Sequence, residues 1–228
     1  MSSHRLLPLG LLALAHALAG CVTSDRGRSD FLSRADGLTP SAREPGLWTA
    51  ESPQADFSSF TQLLIEDVLL LPDPGSPFPG LKGEDAYEIS RSFKQALRKE
   101  LSRKFRIATR PGPEVLQVRA ALAGLRGLSP LGSAPAPGRL PVRDSLLDLS
   151  QLRIELEVLD SRSGLQHFAL IDTQPLANRR GSSLTWDQLR QAFYEWSWRF
   201  QRELDLARQR ALALSEPVLL EEPALSDF

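Results

Sequence analysis

The sequence predicts an α+β fold: one two-layer domain with an antiparallel or mixed sheet of about five strands and two main helices, in the order β-α-β-β-β-β-α. Two observations predict it. Apolar and polar residues alternate over residues 115–122 and 151–159, as in half-buried strands. In residues 85–104 and 185–204, apolar residues recur three and four apart, as on one face of a helix. With 42% hydrophobic residues, the 228-residue chain can bury one core of ordinary size.

The first twenty residues predict a signal peptide. A short polar start precedes an apolar run over residues 6–18, which is too short for a bilayer core that needs roughly 20 residues. The run ends in a leucine, two small residues and a cysteine, an order that resembles the lipobox of bacterial lipoproteins. These residues are Leu18, Ala19, Gly20 and Cys21. We therefore expect cleavage before Cys21 and lipid on its thiol; the alternative is an ordinary secretory signal.

Cys21 is the single cysteine of the chain, so an acylated chain has neither a disulfide nor a free thiol. Acylation with more than one chain gives stable anchoring at a membrane surface without a spanning helix. The residue after the cysteine is Val22 and not the aspartate that retains lipoproteins at the inner membrane. We therefore expect the mature protein on the periplasmic face of the outer membrane.

Residues 21–57 are polar and rich in glycine, proline and serine, and they show no sustained period. They predict a lipidated, flexible tether that docks in places through its apolar residues. Those residues are Phe31, Leu32, Leu38 and Trp48. The folded domain is expected over residues 58–212, followed by a disordered acidic tail over residues 213–228.

The first half of the domain is predicted as a strand, a helix and two further strands. A Leu- and Val-rich stretch over residues 61–71 predicts a strand buried on much of both faces. The helix begins near Asp85, which with Glu88 suits the first helical turn. Short and long strands follow over residues 105–109 and 115–122. Residues 124–148, rich in glycine, proline and alanine, predict a long loop of the kind that is often functional or mobile.

The second half is predicted as a hairpin and a helix. Residues 151–159 and 165–173 form its strands, and the turn between them ends at Gly164, which adopts positive φ at little cost. Thr185 and Gln188 are spaced as a capping box for the last helix. Its inward stripe is expected to be apolar and mostly aromatic. The stripe consists of Leu189, Phe193, Trp196, Phe200 and Leu204.

Five residues on the two helices form a possible binding surface. Arg91, Lys94 and Arg98 give the first helix a cationic face, which suits an anionic lipid or wall polymer, although solvated helix faces commonly look alike. Tyr194 and Trp198 fall off the inward stripe of the last helix. Burial under the sheet or tether is the simpler interpretation for them, and an exposed aromatic patch is the alternative.

Several short motifs occur in an order that resembles domain-of-unknown-function family 3313, a group of proteobacterial lipoproteins. The resemblance spans roughly residues 31–204. Its motifs are Phe31-Leu32-Ser33, residues 115–121, residues 159–164, Ile171-Asp172, and Trp186 with Phe193 and Trp196. It implies an exported lipoprotein domain without assigned chemistry.

The sequence gives little support for catalysis, and we expect no enzyme activity, cofactor or metal. His167 is the one histidine that remains after signal cleavage, which excludes a histidine-rich metal site. An acid-rich cation site could use Asp160 and Asp172 if the hairpin brings them together. The simpler interpretation is that these residues shape a turn and a strand end.

The expected function is a membrane-anchored, non-catalytic interaction module of the cell envelope, whose partner is an envelope protein or peptidoglycan. A net charge of −1 provides no field for binding nucleic acid. The alternative is a carrier of a small apolar or anionic ligand, held in a cleft between the aromatic helix and the sheet.

Overall fold

The computed structural model describes residues 29–71, 83–123, 126–127, 147–148, 152–173 and 186–215. The predicted signal peptide, Cys21, Thr185 and residues 216–228 of the predicted tail lie outside this part of the chain, as do residues 128–146 of the predicted long loop.

Within the described residues, ten strands and two helices follow one another along the chain. The strands are Thr39–Pro40 (β1), Leu47–Glu51 (β2), Gln62–Ile65 (β3), Leu69–Leu71 (β4), Arg106–Ile107 (β5), Val115–Ala123 (β6), Arg126–Gly127 (β7), Leu147–Asp148 (β8), Arg153–Asp160 (β9) and Gln166–Asp172 (β10). The helices are Gly83–Leu101 (α1) and Trp186–Ser215 (α2). The α+β class and the two helices are as predicted.

Eight of these strands form one mixed sheet in the order β1-β2-β10-β9-β6-β3-β5, with β4 also paired to β6. β3 runs parallel to both β5 and β6, and β4 runs parallel to β6, whereas the remaining pairs are antiparallel. β7 and β8, at the two ends of the predicted long loop, form a separate antiparallel pair. The long strands β6, β9 and β10 therefore make up the centre of the sheet.

The predicted count of about five strands is too low for two reasons. The stretch 61–71 was predicted as one strand, but it divides into β3 and β4, which pair with successive parts of β6. The predicted tether also contributes β1 and β2, and β2 pairs with β10 over residues 47–51. Residues 39–40 and 47–51 of the predicted tether thus pair into the sheet, ahead of the predicted domain boundary at residue 58.

The core fills the space between the two helices and one face of the sheet. Strand residues from β3, β6, β9 and β10 meet the apolar stripes of α1 and α2 there. The predicted α2 stripe is confirmed, because each of its five side chains is fully buried. Aromatic rings fill the centre of this layer: Phe93 stacks on Phe193 at 5.0 Å, and both contact Trp196.

A second, smaller apolar cluster lies on the opposite side of the sheet, which we call the outer face. Phe31 and Leu32 pack there against side chains of β2, β6 and β10. Those side chains are Ala50, Ala121, Ala169 and Ile171. The chain ahead of β1 therefore covers part of the face that the helices leave open. Within the described residues, neither helix is apolar enough over a sufficient length to cross a membrane.

Candidate functional site

The most distinctive polar arrangement of the described chain lies on the outer face, where two carboxylates of β9 are buried. Glu155 is 3% exposed and Glu157 is 0% exposed. They alternate along β9 with Ile154, Leu156 and Val158, whose side chains enter the core on the other face. The period of two thus aims both carboxylates away from the helices and toward the chain segment that covers the outer face.

Glu157 holds a main-chain amide and a guanidinium together. Its Oε2 accepts a hydrogen bond of 2.8 Å from the amide of Ser33, and its Oε1 accepts one of 3.3 Å from the Ser33 hydroxyl. Arg119, which stands opposite Glu157 on β6, forms an ion pair with Oε1. The guanidinium of Arg119 also lies 3.8 Å from Glu66. The buried charge is therefore both paired and hydrogen-bonded, as burial of a charge requires.

Glu155, two residues before Glu157 in β9, makes similar contacts. Arg153 lies 2.8 Å from its Oε1, and the Ser29 hydroxyl donates to its Oε2. The same Ser29 oxygen accepts hydrogen bonds from the amides of Phe31 at 3.1 Å and Leu32 at 2.9 Å. Ser29 thus links the carboxylate to a local turn.

Gln166 of β10 completes the arrangement by pairing with the main chain of Arg34. The Arg34 amide donates to Gln166 Oε1 at 2.9 Å, and Gln166 Nε2 donates to the Arg34 carbonyl at 3.0 Å. The Gln166 side chain therefore makes the pair of hydrogen bonds with the Arg34 main chain that a neighbouring strand would otherwise make. We call Glu155, Glu157 and Gln166 the outer-face cluster and residues 29–34 the N-terminal segment.

Apolar contacts reinforce these hydrogen bonds. Phe31 and Leu32 are buried in the second cluster, and the guanidinium carbon of Arg119 lies 5.0 Å from the centre of the Phe31 ring. All four amides from Phe31 to Arg34 donate hydrogen bonds. The arrangement can bind a peptide segment by its main chain and by two adjacent apolar side chains.

The five residues of the predicted binding surface do not share one contact network. Tyr194 is 36% exposed and Trp198 48% exposed, so the interpretation that they are buried is wrong and the exposed alternative holds. Lys99 Nζ lies 4.6 Å from the Tyr194 ring centre, and the guanidinium carbon of Arg202 lies 5.0 Å from that of Trp198. A cation of one of the two helices therefore lies over each exposed aromatic ring.

The predicted cations on α1 have other surroundings. Lys94 is paired at 2.7 Å with Asp67, which lies between β3 and β4. Arg91 and Arg98 are exposed on the helix surface. Lys94 therefore links α1 to the chain between β3 and β4, and Lys99 is the α1 residue that lies over the Tyr194 ring.

The two aspartates considered for cation binding lie apart. Asp160 and Asp172 stand near opposite ends of the β9–β10 hairpin, so the hairpin does not bring them together. Asp160 accepts hydrogen bonds from the amides of Arg162 at 2.7 Å and Ser163 at 3.1 Å. Burial opposes the effect, but these hydrogen bonds lower the pKa of Asp160. Asp172, 1% exposed, lies 3.1 Å from Arg199 of α2.

His167 is enclosed by two aromatic rings. The ring centre of Phe57 lies 5.5 Å from that of His167, and the ring centre of Phe60 lies 5.3 Å away. Neither imidazole nitrogen has a hydrogen-bond partner among the described residues. Burial lowers the pKa of His167, although the charges of Asp160 and Asp56 oppose that shift. Asp160 and Asp172 thus serve a turn and a helix contact, and His167 packs in an aromatic pocket.

The predicted ligand cleft between α2 and the sheet is filled by side chains. Phe193, Trp196 and Phe200 are fully buried there, and Phe200 meets Phe168 of β10 at 6.2 Å. A surface recess of about 650 Å³ exists elsewhere, beside β5, where residues 107–115 and Gln62 line it.

Comparison with known proteins identifies the family. The model described as "Protein of unknown function (DUF3313)" matches residues 27–200. The chain belongs to this family. The matched range begins two residues before the N-terminal segment of this DUF3313 protein, so the family region includes the chain that docks on the outer face. No curated protein sequence matches the chain.

The chain also resembles solved structures at low sequence identity. A PelC dodecamer from Paraburkholderia phytofirmans is 10% identical, with 65% of this chain and 93% of that chain covered and a TM-score of 0.36. A DUF4136 family protein from Bacteroides thetaiotaomicron is 12% identical, with 76% and 98% covered and a TM-score of 0.38. A PDZ domain protein from Parabacteroides distasonis is 11% identical, with 67% and 34% covered and a TM-score of 0.39.

Sequence reasoning missed the outer-face cluster because Glu155 and Glu157 alternate with apolar residues as a solvated face does. One signal was available. The apolar residues Phe31 and Leu32 predict docking of this part of the chain, but the side chains of the sheet that hydrogen-bond to residues 29–34 lie 124 to 132 residues away along the chain.

Proposed function

We propose that this DUF3313 protein is a lipid-anchored, non-catalytic interaction module on the periplasmic face of the bacterial outer membrane. Two features support the anchor: the apolar run over residues 6–18 and the motif that ends at Cys21. Val22 supports sorting of the lipoprotein to the outer membrane. The membrane holds the module, and an envelope protein or peptidoglycan is the partner.

The observation that carries this proposal is the short distance along the chain from Cys21 to the folded domain. Ser29 is already hydrogen-bonded to Glu155, only eight positions after Cys21. A chain that is acylated at Cys21 therefore passes almost directly from the membrane surface into the fold. Such an arrangement suits a domain that works at the membrane.

The exposed surface of α2 is the preferred contact surface for a partner. Tyr194 and Trp198 present rings to solvent, each accompanied by a cation. Aromatic residues and arginine are enriched at protein interfaces, where truncation of a central ring commonly weakens binding. The non-catalytic assignment agrees with the structural contacts of Asp160 and Asp172 and with the aromatic enclosure of His167.

The anchor is tested in the native host with the full chain and its Cys21→Ser variant, labelled with radioactive palmitate. We expect label and outer-membrane fractionation for the native chain, and loss of both for C21S. Val22→Asp, which keeps Cys21, should remain labelled and move to the inner membrane. A native chain without label contradicts the anchor.

The contact surface is tested by placing a photo-crosslinking amino acid at Trp198 or, as a matched control, at Arg162 in the exposed hairpin turn. We expect a discrete adduct in intact cells from position 198 and none from position 162. Mass spectrometry of the adduct distinguishes a protein from a peptidoglycan fragment. Equal labelling patterns at both positions would remove α2 as the interface.

The alternative, a carrier of a small ligand, loses its predicted cleft because aromatic side chains fill it. The recess beside β5 is another place where a ligand could lie. Native mass spectrometry of protein purified from its host decides the matter: a stoichiometric small molecule supports the carrier, and an unliganded mass supports the interaction module.

A further inference from the structure

We propose that the outer-face cluster is a binding site for the N-terminal segment and that this docking limits the distance between the domain and the membrane. The inference rests on the proposed anchor at Cys21. It assigns a role to Glu155, Glu157 and Gln166 that neither catalysis nor partner binding requires.

The limit follows from chain length. An extended chain advances about 3.3 to 3.6 Å per residue, so eight steps from Cys21 to Ser29 span about 29 Å at most. Without docking, the next fixed point is Thr39, where β1 begins to pair with β2. Eighteen steps from Cys21 to Thr39 span about 65 Å at most. Docking therefore reduces the maximum distance between Cys21 and the folded domain more than twofold.

The binding site is built to hold this segment. Carboxylate and carboxamide oxygens of the sheet accept hydrogen bonds from the amides of Ser33 and Arg34, and the Ser29 hydroxyl donates to Glu155. Within the segment, Ser29 accepts hydrogen bonds from the amides of Phe31 and Leu32. Each buried acceptor of β9 also has an arginine neighbour on the sheet, so its charge stays paired when the segment is bound.

Two effects oppose release of the segment. It exposes Phe31 and Leu32 to water together with the small apolar side chains beneath them. It also removes the hydrogen-bond donors of Ser29 and Ser33 from two carboxylates in the sheet. The docked state is thus the ground state of the anchored protein.

The distance is measured by fluorescence energy transfer on the acylated full-length protein in vesicles of phosphatidylethanolamine and phosphatidylglycerol. Because Cys21 carries lipid, the replacement Arg162→Cys supplies the single thiol for a donor dye, and headgroup-labelled lipid is the acceptor. We expect efficient transfer from the otherwise native chain.

Two changes should each lower the transfer efficiency. The double replacement Phe31→Asp with Leu32→Asp places charges in the apolar contact and should undock the segment. An insertion of sixteen Gly/Ser residues between Arg28 and Ser29 leaves the docking intact and lengthens the chain ahead of it. Ser33→Ala keeps the main-chain hydrogen bond to Glu157 and should behave as the native chain.

Hydrogen exchange separates the steps of the inference. Amides of residues 31–34 should be protected in the native and insertion proteins and exchange rapidly in the double variant. Unchanged energy transfer in the insertion protein overturns the distance limit, and unprotected amides in the native protein overturn the docking. Failure of the native protein to acquire lipid or bind vesicles instead contradicts the proposed anchor.

Discussion

A buried carboxylate is stable only when other groups replace the water it has lost, and Glu157 shows how this chain does so. Arg119 supplies the opposite charge from the neighbouring strand, and the Ser33 amide supplies a hydrogen bond from the covering segment. The carboxylate therefore connects two parts of the chain. Removal of Glu157 leaves the Ser33 amide without its acceptor and Arg119 with Glu66 as its remaining carboxylate at 3.8 Å.

Replacement of Glu157 by alanine should lower the free energy of unfolding by about 2 to 4 kcal/mol, because Arg119 loses its buried partner and the Ser33 amide its acceptor. Denaturant unfolding followed by circular dichroism measures the change. Glu51→Ala is the matched control, since Glu51 pairs with the half-exposed Arg210 and should cost less than about 1 kcal/mol. Equal losses for E157A and E51A would contradict the special role of Glu157.

His167 should make stability depend on pH. Its pKa in the folded protein is lowered from 6.5 because burial disfavours the imidazolium. The folded protein therefore binds fewer protons than the unfolded chain between the two pKa values, so the free energy of unfolding rises with pH there. The full contribution is present above about pH 6.5 and decreases as the pH falls toward the lowered pKa.

Melting temperatures between pH 5 and pH 8 provide the measurement. We expect a lower melting temperature at pH 5 than at pH 7.5 for the native domain and a flatter profile for His167→Leu, which has no titrating ring. Phe57→Leu loosens the same pocket but keeps the imidazole, so its profile should keep the slope. A native slope in H167L would assign the pH dependence to another group.

Among the elements, the β9–β10 hairpin depends most on a single backbone geometry. Gly164 has φ +72° at the end of its turn, and its amide donates to the Asp160 carbonyl at 2.9 Å. Side chains disfavour this region of φ by about 1 to 2 kcal/mol. The turn therefore requires glycine for conformational reasons, since no neighbouring atom would meet a Cβ there.

Gly164→Ala should lower the free energy of unfolding by about 1 to 2 kcal/mol, through backbone strain alone. Gly83→Ala is the control, because Gly83 begins α1 without positive φ and also has open space around a Cβ. That change should be neutral or stabilise the protein by up to about 1 kcal/mol. Thermal unfolding of both variants checks the pair, and loss of stability only in G83A would reverse the argument.

The elements also show what the sequence could and could not predict. The α2 stripe was predicted because its apolar residues keep helical spacing over about four turns, and nothing competes with that signal. The hairpin was predicted because alternation and Gly164 agree. The polar face of β9 was not recognised as buried, because burial there depends on a segment whose own pattern has no period. A segment without a periodic pattern gives little sequence evidence that it docks on a strand far away along the chain.

A local sequence pattern also does not show where strand pairing is interrupted, which explains the error in the strand count. A Leu-rich stretch over residues 61–71 fits one long strand, but the structure interrupts it after Ile65 and resumes pairing at Leu69. The binding-surface prediction was partly correct for a related reason. Helical spacing located Tyr194 and Trp198 off the inward stripe, but only the packing of α1 beside α2 places Lys99 over the Tyr194 ring.

At the scale of the whole molecule, the chain ahead of residue 58 covers the β10 edge of the sheet and packs against both of its faces. β2 pairs along β10, and β1 ends the sheet at Pro40, whose nitrogen has no hydrogen to offer a further strand. Phe31 and Leu32 cover the outer face, while Leu47 and Phe57 enter the main core. A domain cut at residue 58 would lose all of these contacts and expose the edge of β10.

We therefore expect a protein of residues 29–215 to fold cooperatively and a protein of residues 58–215 to aggregate or remain partly unfolded. The shorter protein exposes an unpaired strand edge and the apolar residues beneath the missing chain, and both features promote aggregation. Size-exclusion chromatography and thermal unfolding compare the two. A monomeric, cooperatively unfolding 58–215 protein would show that residues 29–57 are dispensable. If it fails, addition of a synthetic peptide of residues 29–57 should restore part of the cooperative transition, since the missing contacts are non-covalent.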